Sequence, residues 1–380
     1  MASGLVAAAD AGRAISKGFD VYLFLAGMML LAEVARRESL FDHVATQAVR
    51  YARGSPQRLF ALVYGAGVLV TVFMSNDATA VVLTPAVYAA TRKAGVKPMP
   101  YLFACAFVAN AASFVLPISN PANLVIFGDK LPPLAVWLAQ FIAPSAVSIV
   151  VTYALLRWLN RSKLRGEVHA TADAKPLATT GVLAFFGVAA VAVILLVASA
   201  FGWSLGWPTA LASGCVAAAV LMRKREAPWG LLRHIAWSVL ALVAALFVLV
   251  EGVAATGVVQ GLTDALHRAS AISATDAAWG AGTLVALLCN AMNNLPAGLI
   301  AGSVVATADV SEAVRSAITI GIDLGPNLSV TGSLATLLWL IAIRREGENV
   351  SALQFLRLGA VVMPLTLLAS LAVLLLQNAL

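Results

Sequence analysis

The chain has 380 residues, of which 61% are hydrophobic and only 11% charged, with a formal net charge of +7. Roughly 25% of an ordinary soluble domain is charged and a soluble helix needs a polar face, so a large water-soluble helical protein is excluded. Nor does the positive charge point to nucleic acid, because Lys and Arg sit in short clusters between apolar runs, the positive-inside pattern of a membrane protein.

In chain order, hydropathy and helix breakers predict an all-α polytopic membrane protein. Residues 1–18 carry Asp10, Arg13 and Lys17 in a mildly apolar stretch, without a cleavable signal-peptide pattern. A first span is predicted at 19–35. Two apolar arms follow, 59–74 and 78–91, on either side of Ser75-Asn76-Asp77. About fifteen helical residues reach about 22 Å, short of a hydrocarbon core about 30 Å thick, so the arms read as a re-entrant hairpin. Segment 100–127 is broken at Pro117-Ile118-Ser119-Asn120-Pro121, and a span at 134–159 closes this half. Two plain spans come next, 177–201 and 207–222. The pattern then restarts with a span at 234–253, paired arms around Asn293-Asn294, a segment broken around 325–332, and a last span at 353–376.

The restart is an internal repeat. Asn76 and Asn294, Glu33 and Glu251, and Met74 and Met292 are each 218 positions apart, while Asn120 and Ser333 are 213 apart. The expected divisions are an N-terminal segment 1–18, a first transport repeat 19–160 with its tip at 75–77, connecting spans 161–230, and a second repeat 231–380 with its tip at 293–294. That gives about 8 transmembrane helices plus 2 re-entrant hairpins with broken helices.

Charge orients the spans. Loops 36–58, 92–97, 157–175, 223–233 and 344–357 hold 20 of the 25 Lys and Arg, all on one side. Arg13, Lys17, Lys130, Arg268 and Arg315 remain for the other. The rule puts the basic loops in the cytoplasm and both termini outside it, in a plasma (inner) membrane. Five spans separate the starts of the two repeats, and an odd number inverts the second copy. Inverted repeats with broken helices mark secondary transporters, whose site lies at the repeat interface near the midplane.

Polar residues at that depth are tolerated only in protein or beside a water-filled cavity. Four clusters stand out: Ser75-Asn76-Asp77; Ser119-Asn120 with Asn123; Asn290 with Asn293-Asn294; and Asp323 with Asn327, Ser329, Thr331, Gly332 and Ser333. Proline and glycine beside them free backbone groups, and half-helix N-termini, amides and hydroxyls suit a small, oxygen-rich solute. The solute-binding candidates are Ser75, Asn76, Ser119, Asn120, Asn123, Asn293, Asn294, Asn327, Thr331, Gly332 and Ser333. The alternative role is hydrogen bonding between helices. Asp77, Asp323 and Glu251 are candidates for carrying protons. For Asp77 and Asp323 the alternative is capping the following half-helix; for Glu251 and its mate Glu33 it is a place near the interface. Cys105, Cys215 and Cys289 read as small buried hydrophobes, with no metal site, and the four histidines receive no role. No phosphate-binding loop, His-Glu-x-x-His or nucleophile-elbow motif is present, so no enzyme activity and no cofactor are expected.

Three stretches stand out: Phe73-Met74-Ser75-Asn76-Asp77 running on to Thr84-Pro85, Met292-Asn293-Asn294-Leu295-Pro296, and Asp323-Leu324-Gly325-Pro326 followed by Gly332-Ser333 and on to Trp339. Together they closely resemble the ArsB family of arsenite efflux pumps in the ion transporter superfamily. The resemblance implies export of arsenite and antimonite as neutral hydroxides in exchange for protons, by alternating access around the hairpin tips. In some systems a soluble ArsA-type ATPase also drives the pump. Membrane lipid is the surrounding partner. Two departures stand out: relatives usually begin with about two more spans, and many have Lys where this chain has Asn327. Silicic acid, a dicarboxylate, sodium–proton exchange and a passive channel remain as alternatives.

Overall fold

The computed structural model describes residues 8–128, 131–169, 176–235 and 237–379, and among them every regular element is helical. Lys130 and Lys175, counted in the charge pattern above, lie outside the described residues.

The chain opens with α1 (Ala8–Lys17), bent by 50° from α2 (Phe19–Arg37). Then come α3 (Leu40–Ala52) and α4 (Pro56–Phe73). The second arm of the hairpin is α5 (Asn76–Ala78), a π-helical stretch (Thr79–Leu83) and α6 (Thr84–Lys93). The broken span is α7 (Met99–Ala111), a 3-10 turn (Pro117–Ser119) and α8 (Pro121–Phe127), and α9 (Leu134–Leu159) follows. The connecting helices are α10 (Thr179–Ala200), α11 (Gly206–Lys224) and the short α12 (Trp229–Leu232). The order then recurs: α13 (Trp237–Ala255), α14 (Val258–Ile272), the hairpin α15 (Ala274–Met292) and α16 (Asn294–Ala308), the broken span α17 (Glu312–Leu324), a 3-10 turn (Gly325–Leu328) and α18 (Leu334–Arg345), and α19 (Ala352–Ala379).

Among the described residues, five helices are long and apolar enough to cross a bilayer: α4, α9, α10, α13 and α19. Helix α2 taken with the bent α1 would make a sixth. Four helices were not expected: α1, α12 and the two longest, α3 and α14. Both α3 and α14 lie in stretches read as loops, where a narrow apolar face (Leu40, Phe41, Ala45, Ala48, Val49 and Ala52 in α3) is interleaved with charges. The hairpin arms also outrun their hydropathy signal. At 18 residues α4 is about 27 Å long at 1.5 Å per residue, so arm length alone does not set them apart from spans.

The two halves interlock. α8 packs on the second hairpin's α16, α18 packs on the π stretch and α6 of the first, and α9 packs on α19. An aromatic cluster of Phe103, Phe107, Trp339 and Phe355 ties α7, α18 and α19 together, and Trp339 Nε1 donates to the Leu102 carbonyl at 2.9 Å. Helices α15 and α17 touch backbone to backbone: a Cβ on Gly321 would lie 2.2 Å from the Gly282 carbonyl oxygen. Cys105 and Cys289 are buried as expected, but Cys215 is exposed. α11 buries the stripe Thr209, Ser213, Ala217 and Val220, and Cys215 lies off that stripe.

Candidate functional site

Each hairpin turns at one residue with an unusual backbone. Ser75 (φ 150°, ψ 163°) and Asn293 (φ 79°, ψ 153°) combine positive φ with extended ψ, a region few residues other than glycine adopt. They are 218 positions apart, so the strain falls at corresponding points of the two halves. Each caps the arm that follows: Ser75 Oγ accepts from Ala78 N at 3.2 Å, and Asn293 Oδ1 accepts from Leu295 N at 3.3 Å. The broken spans cap their second halves in the same way. Asn120 Oδ1 accepts from Ala122 N at 3.0 Å, and Ser333 Oγ accepts from Thr336 N at 3.1 Å. Capping therefore falls to these four residues and not to Asp77 or Asp323.

All four breaks converge. Asn76 and Asp77 from the first tip, Asn120 and Pro121 from the first broken span, Asn294 and Leu295 from the second tip, and Leu334 and Ala335 from the second broken span line one cavity of about 10 Å³. Leu25 and Val239 complete it. The tips are fixed against the breaks. Asn294 N donates to the Gly332 carbonyl at 2.8 Å, and Ser119 Oγ donates to the Val72 carbonyl at 3.1 Å.

Behind the cavity lies a buried network. Asp323 is fully buried, and its Oδ1 accepts from Ser113 Oγ at 2.7 Å and from Asn120 Nδ2, while Oδ2 has no hydrogen-bond partner among the described residues. Asn110 Nδ2 donates to Asn327 Oδ1 at 3.0 Å and its Oδ1 accepts from Ser333 Oγ at 3.3 Å. Asn327 Nδ2 donates to the Phe107 carbonyl at 3.1 Å, and Asn123 Nδ2 to the Ser113 carbonyl at 3.0 Å. Asn76 Oδ1 and Asn123 Oδ1 are buried without partners among the described residues.

A second cavity, of about 730 Å³, leads to the first and shares Leu25, Asp77, Pro121 and Val239 with it. One wall is α2 (Phe24, Met28, Ala32) and the other is the first hairpin with α18 (Val82, Ala86, Leu338, Ile341). Its rim carries Arg36, Asp42, His234, Arg345 and Glu346, residues of the basic-loop side. Arg36 grips Glu33 with two bonds of 2.7 Å.

Of the residues singled out from sequence, Asn76, Asp77, Asn120 and Asn294 line the tip cavity, and Ser75, Ser119, Asn123, Gly332, Ser333, Asn327 and Asp323 hold or surround it. Asn293 and Thr331 sit to one side, joined by a 3.2 Å bond from Asn293 Nδ2 to the Thr331 carbonyl. Glu251 takes no part in the cluster's hydrogen bonds. It is 40% exposed on α13 and paired with Lys17 at 3.2 Å. Sequence reasoning missed Asn110, Ser113 and Thr336. The signal was present: each is a polar residue in an apolar run within a few positions of a helix break, where burial demands a partner.

The profile of the citrate transporter family, CitMHS, matches residues 1–344. An arsenical pump membrane protein of Escherichia coli is 26% identical over 390 residues, covering 99% of this chain and 91% of the relative. An uncharacterized transporter of Mycobacterium tuberculosis is 27% identical, covering 93% and 85%. The crystal structure of the YdaH transporter of Alcanivorax borkumensis shares the fold, with a TM-score of 0.60 at 18% identity over 96% of this chain and 86% of that one. The ArsB-family resemblance read from the motifs is thus borne out along the whole chain, which is an integral multi-pass membrane transporter belonging to the CitMHS family of the ion transporter superfamily.

Proposed function

We propose that this transporter exports trivalent arsenite and antimonite, in their neutral hydroxide form, across the plasma membrane in exchange for protons, by alternating access between two inverted repeats. The observation that carries this is the lining of the tip cavity: amides, backbone and the Asp77 carboxylate, with no Lys or Arg among its residues. A citrate-like anion would bring its charges up to Asp77, with Asp323 close behind Asn120, and no fixed cation there to offset the cost. A small neutral hydroxide both donates and accepts hydrogen bonds and suits free acceptors such as Asn76 Oδ1. The rim of the larger cavity belongs to the basic loops, so by the positive-inside rule it faces the cytoplasm. Asp77 and Asp323 are assigned the protons, and Glu251 keeps its ion pair with Lys17.

A citrate-type reading has the family's description in its favour, and one experiment separates the two. Purified protein in liposomes, with no soluble ArsA-type ATPase present, is given a pH gradient and either arsenite or citrate. Arsenite accumulation that an uncoupler collapses, and that Asp323→Asn abolishes while leaving a monodisperse protein, is expected. Citrate accumulation in its place, or full arsenite accumulation by Asp323→Asn, overturns the assignment.

A further inference from the structure

The two halves meet in two cross-linked pairs of the same design. Asn110 is the last residue but one of α7 and Asp323 the last but one of α17, and they are 213 positions apart, as are Asn120 and Ser333. Asp323 takes a hydrogen bond from Asn120, the cap of α8 in the other half. Asn110 takes one at 3.3 Å from Ser333, the cap of α18 in the other half. Each pair therefore runs from the last turn of one half's first segment to the cap of the other half's second segment, and each cap still serves its own helix. Ser113 joins the pairs, because its Oγ lies 2.7 Å from both the Asn110 carbonyl and Asp323 Oδ1 and has one hydrogen to share between them.

The chemistry of the two pairs differs. The Asn110 amide is saturated: Nδ2 serves Asn327 at 3.0 Å and Thr336 at 3.4 Å, and Oδ1 accepts from Ser333. An amide neither gains nor loses a proton in the physiological range. Asp323 keeps one oxygen without a partner among the described residues.

We propose that Asn110 is the charge-neutral counterpart of Asp323, a positioning residue that holds one of two equivalent crossbars, so that the two crossbars carry one exchangeable proton between them and the site would work with that carboxylate on either. This rests on the coupling role given to Asp323 above. The geometry supports the exchange, because both positions are fully buried and both side chains face a capping side chain of the other half.

The test is relocation of the carboxylate in liposome transport driven by a pH gradient. Asp323→Asn alone is expected to lose accumulation of arsenite, and Asn110→Asp combined with Asp323→Asn to regain it. A folded double variant that stays uncoupled overturns the counterpart reading while leaving Asp323 as the proton carrier. Accumulation retained by Asp323→Asn alone overturns both. If the double variant does not fold, Asn110→Asp alone decides. With two carboxylates it is expected to add one proton per cycle, raising the steady-state arsenite ratio about tenfold further for each unit of pH gradient. A folded Asn110→Asp with the wild-type ratio overturns the proposal.

Discussion

The contact between hairpin and broken span is made twice in this protein, with different chemistry each time. In the second half, α15 and α17 meet backbone to backbone. A Cβ on Gly321 would stand 2.2 Å from the Gly282 carbonyl oxygen, and one on Gly325 would stand 2.3 Å from that of Ala286. The corresponding positions of the first half are Val108, Tyr64, Ala112 and Val68, and there α4 and α7 meet through side chains. Tyr64 is buried and donates to the Ile149 carbonyl at 2.8 Å, while Gly67 makes room for Val108. The first half also carries the π-helical stretch Thr79–Leu83 in its hairpin, where α16 is regular α-helix throughout. One sequence order can thus be built as a rigid weld or as a contact with side-chain slack, and this molecule uses one of each.

The largest effect is expected where the weld is broken. Gly321→Ala puts a methyl onto a carbonyl that cannot rotate away, and a cost of about 3 kcal/mol or more is expected. It should appear as loss of monodisperse protein or a large drop in thermal midpoint in detergent. Gly67→Ala, a change at the α4–α7 contact of the first half, presses on a Val108 methyl 2.5 Å away. About 1–2 kcal/mol is expected, and adding Val108→Ala should return part of it. Equal costs for the two glycines would erase the contrast between the halves. Next come the caps, where Asn120→Ala and Ser333→Ala should each lower stability by about 1 kcal/mol. The smallest effect is expected for Lys17→Met, because its partner Glu251 is 40% exposed and such pairs contribute about 0.2–1 kcal/mol.

Much of this was legible in the sequence, for a physical reason. Polar residues next to proline or glycine at membrane depth are costly unless something compensates, so the breaks at Ser75, Asn120, Asn293 and Ser333 announced themselves, and the span 134–159 was bounded correctly at both ends. What could not be read was set by partners far along the chain. The bonds from Asn110 to Asn327 and from Asn120 to Asp323 join residues 217 and 203 positions apart, and no local pattern encodes such pairing. Helices α3 and α14 were hidden for the opposite reason. Their apolar faces are too narrow to raise the hydropathy of a window, and packing against the hairpins makes them helical.

The larger cavity has a consequence in terms of concentration. A single small molecule confined to about 730 Å³ is present at roughly 2 M. While a solute stays inside, the tip residues meet it at that concentration, and how often it is inside follows the bulk. The share of time the tip site is filled is still set by the bulk concentration and the site's own contacts, while confinement shortens the search from cavity to tip, and weak contacts let the cargo leave once the site faces the other side.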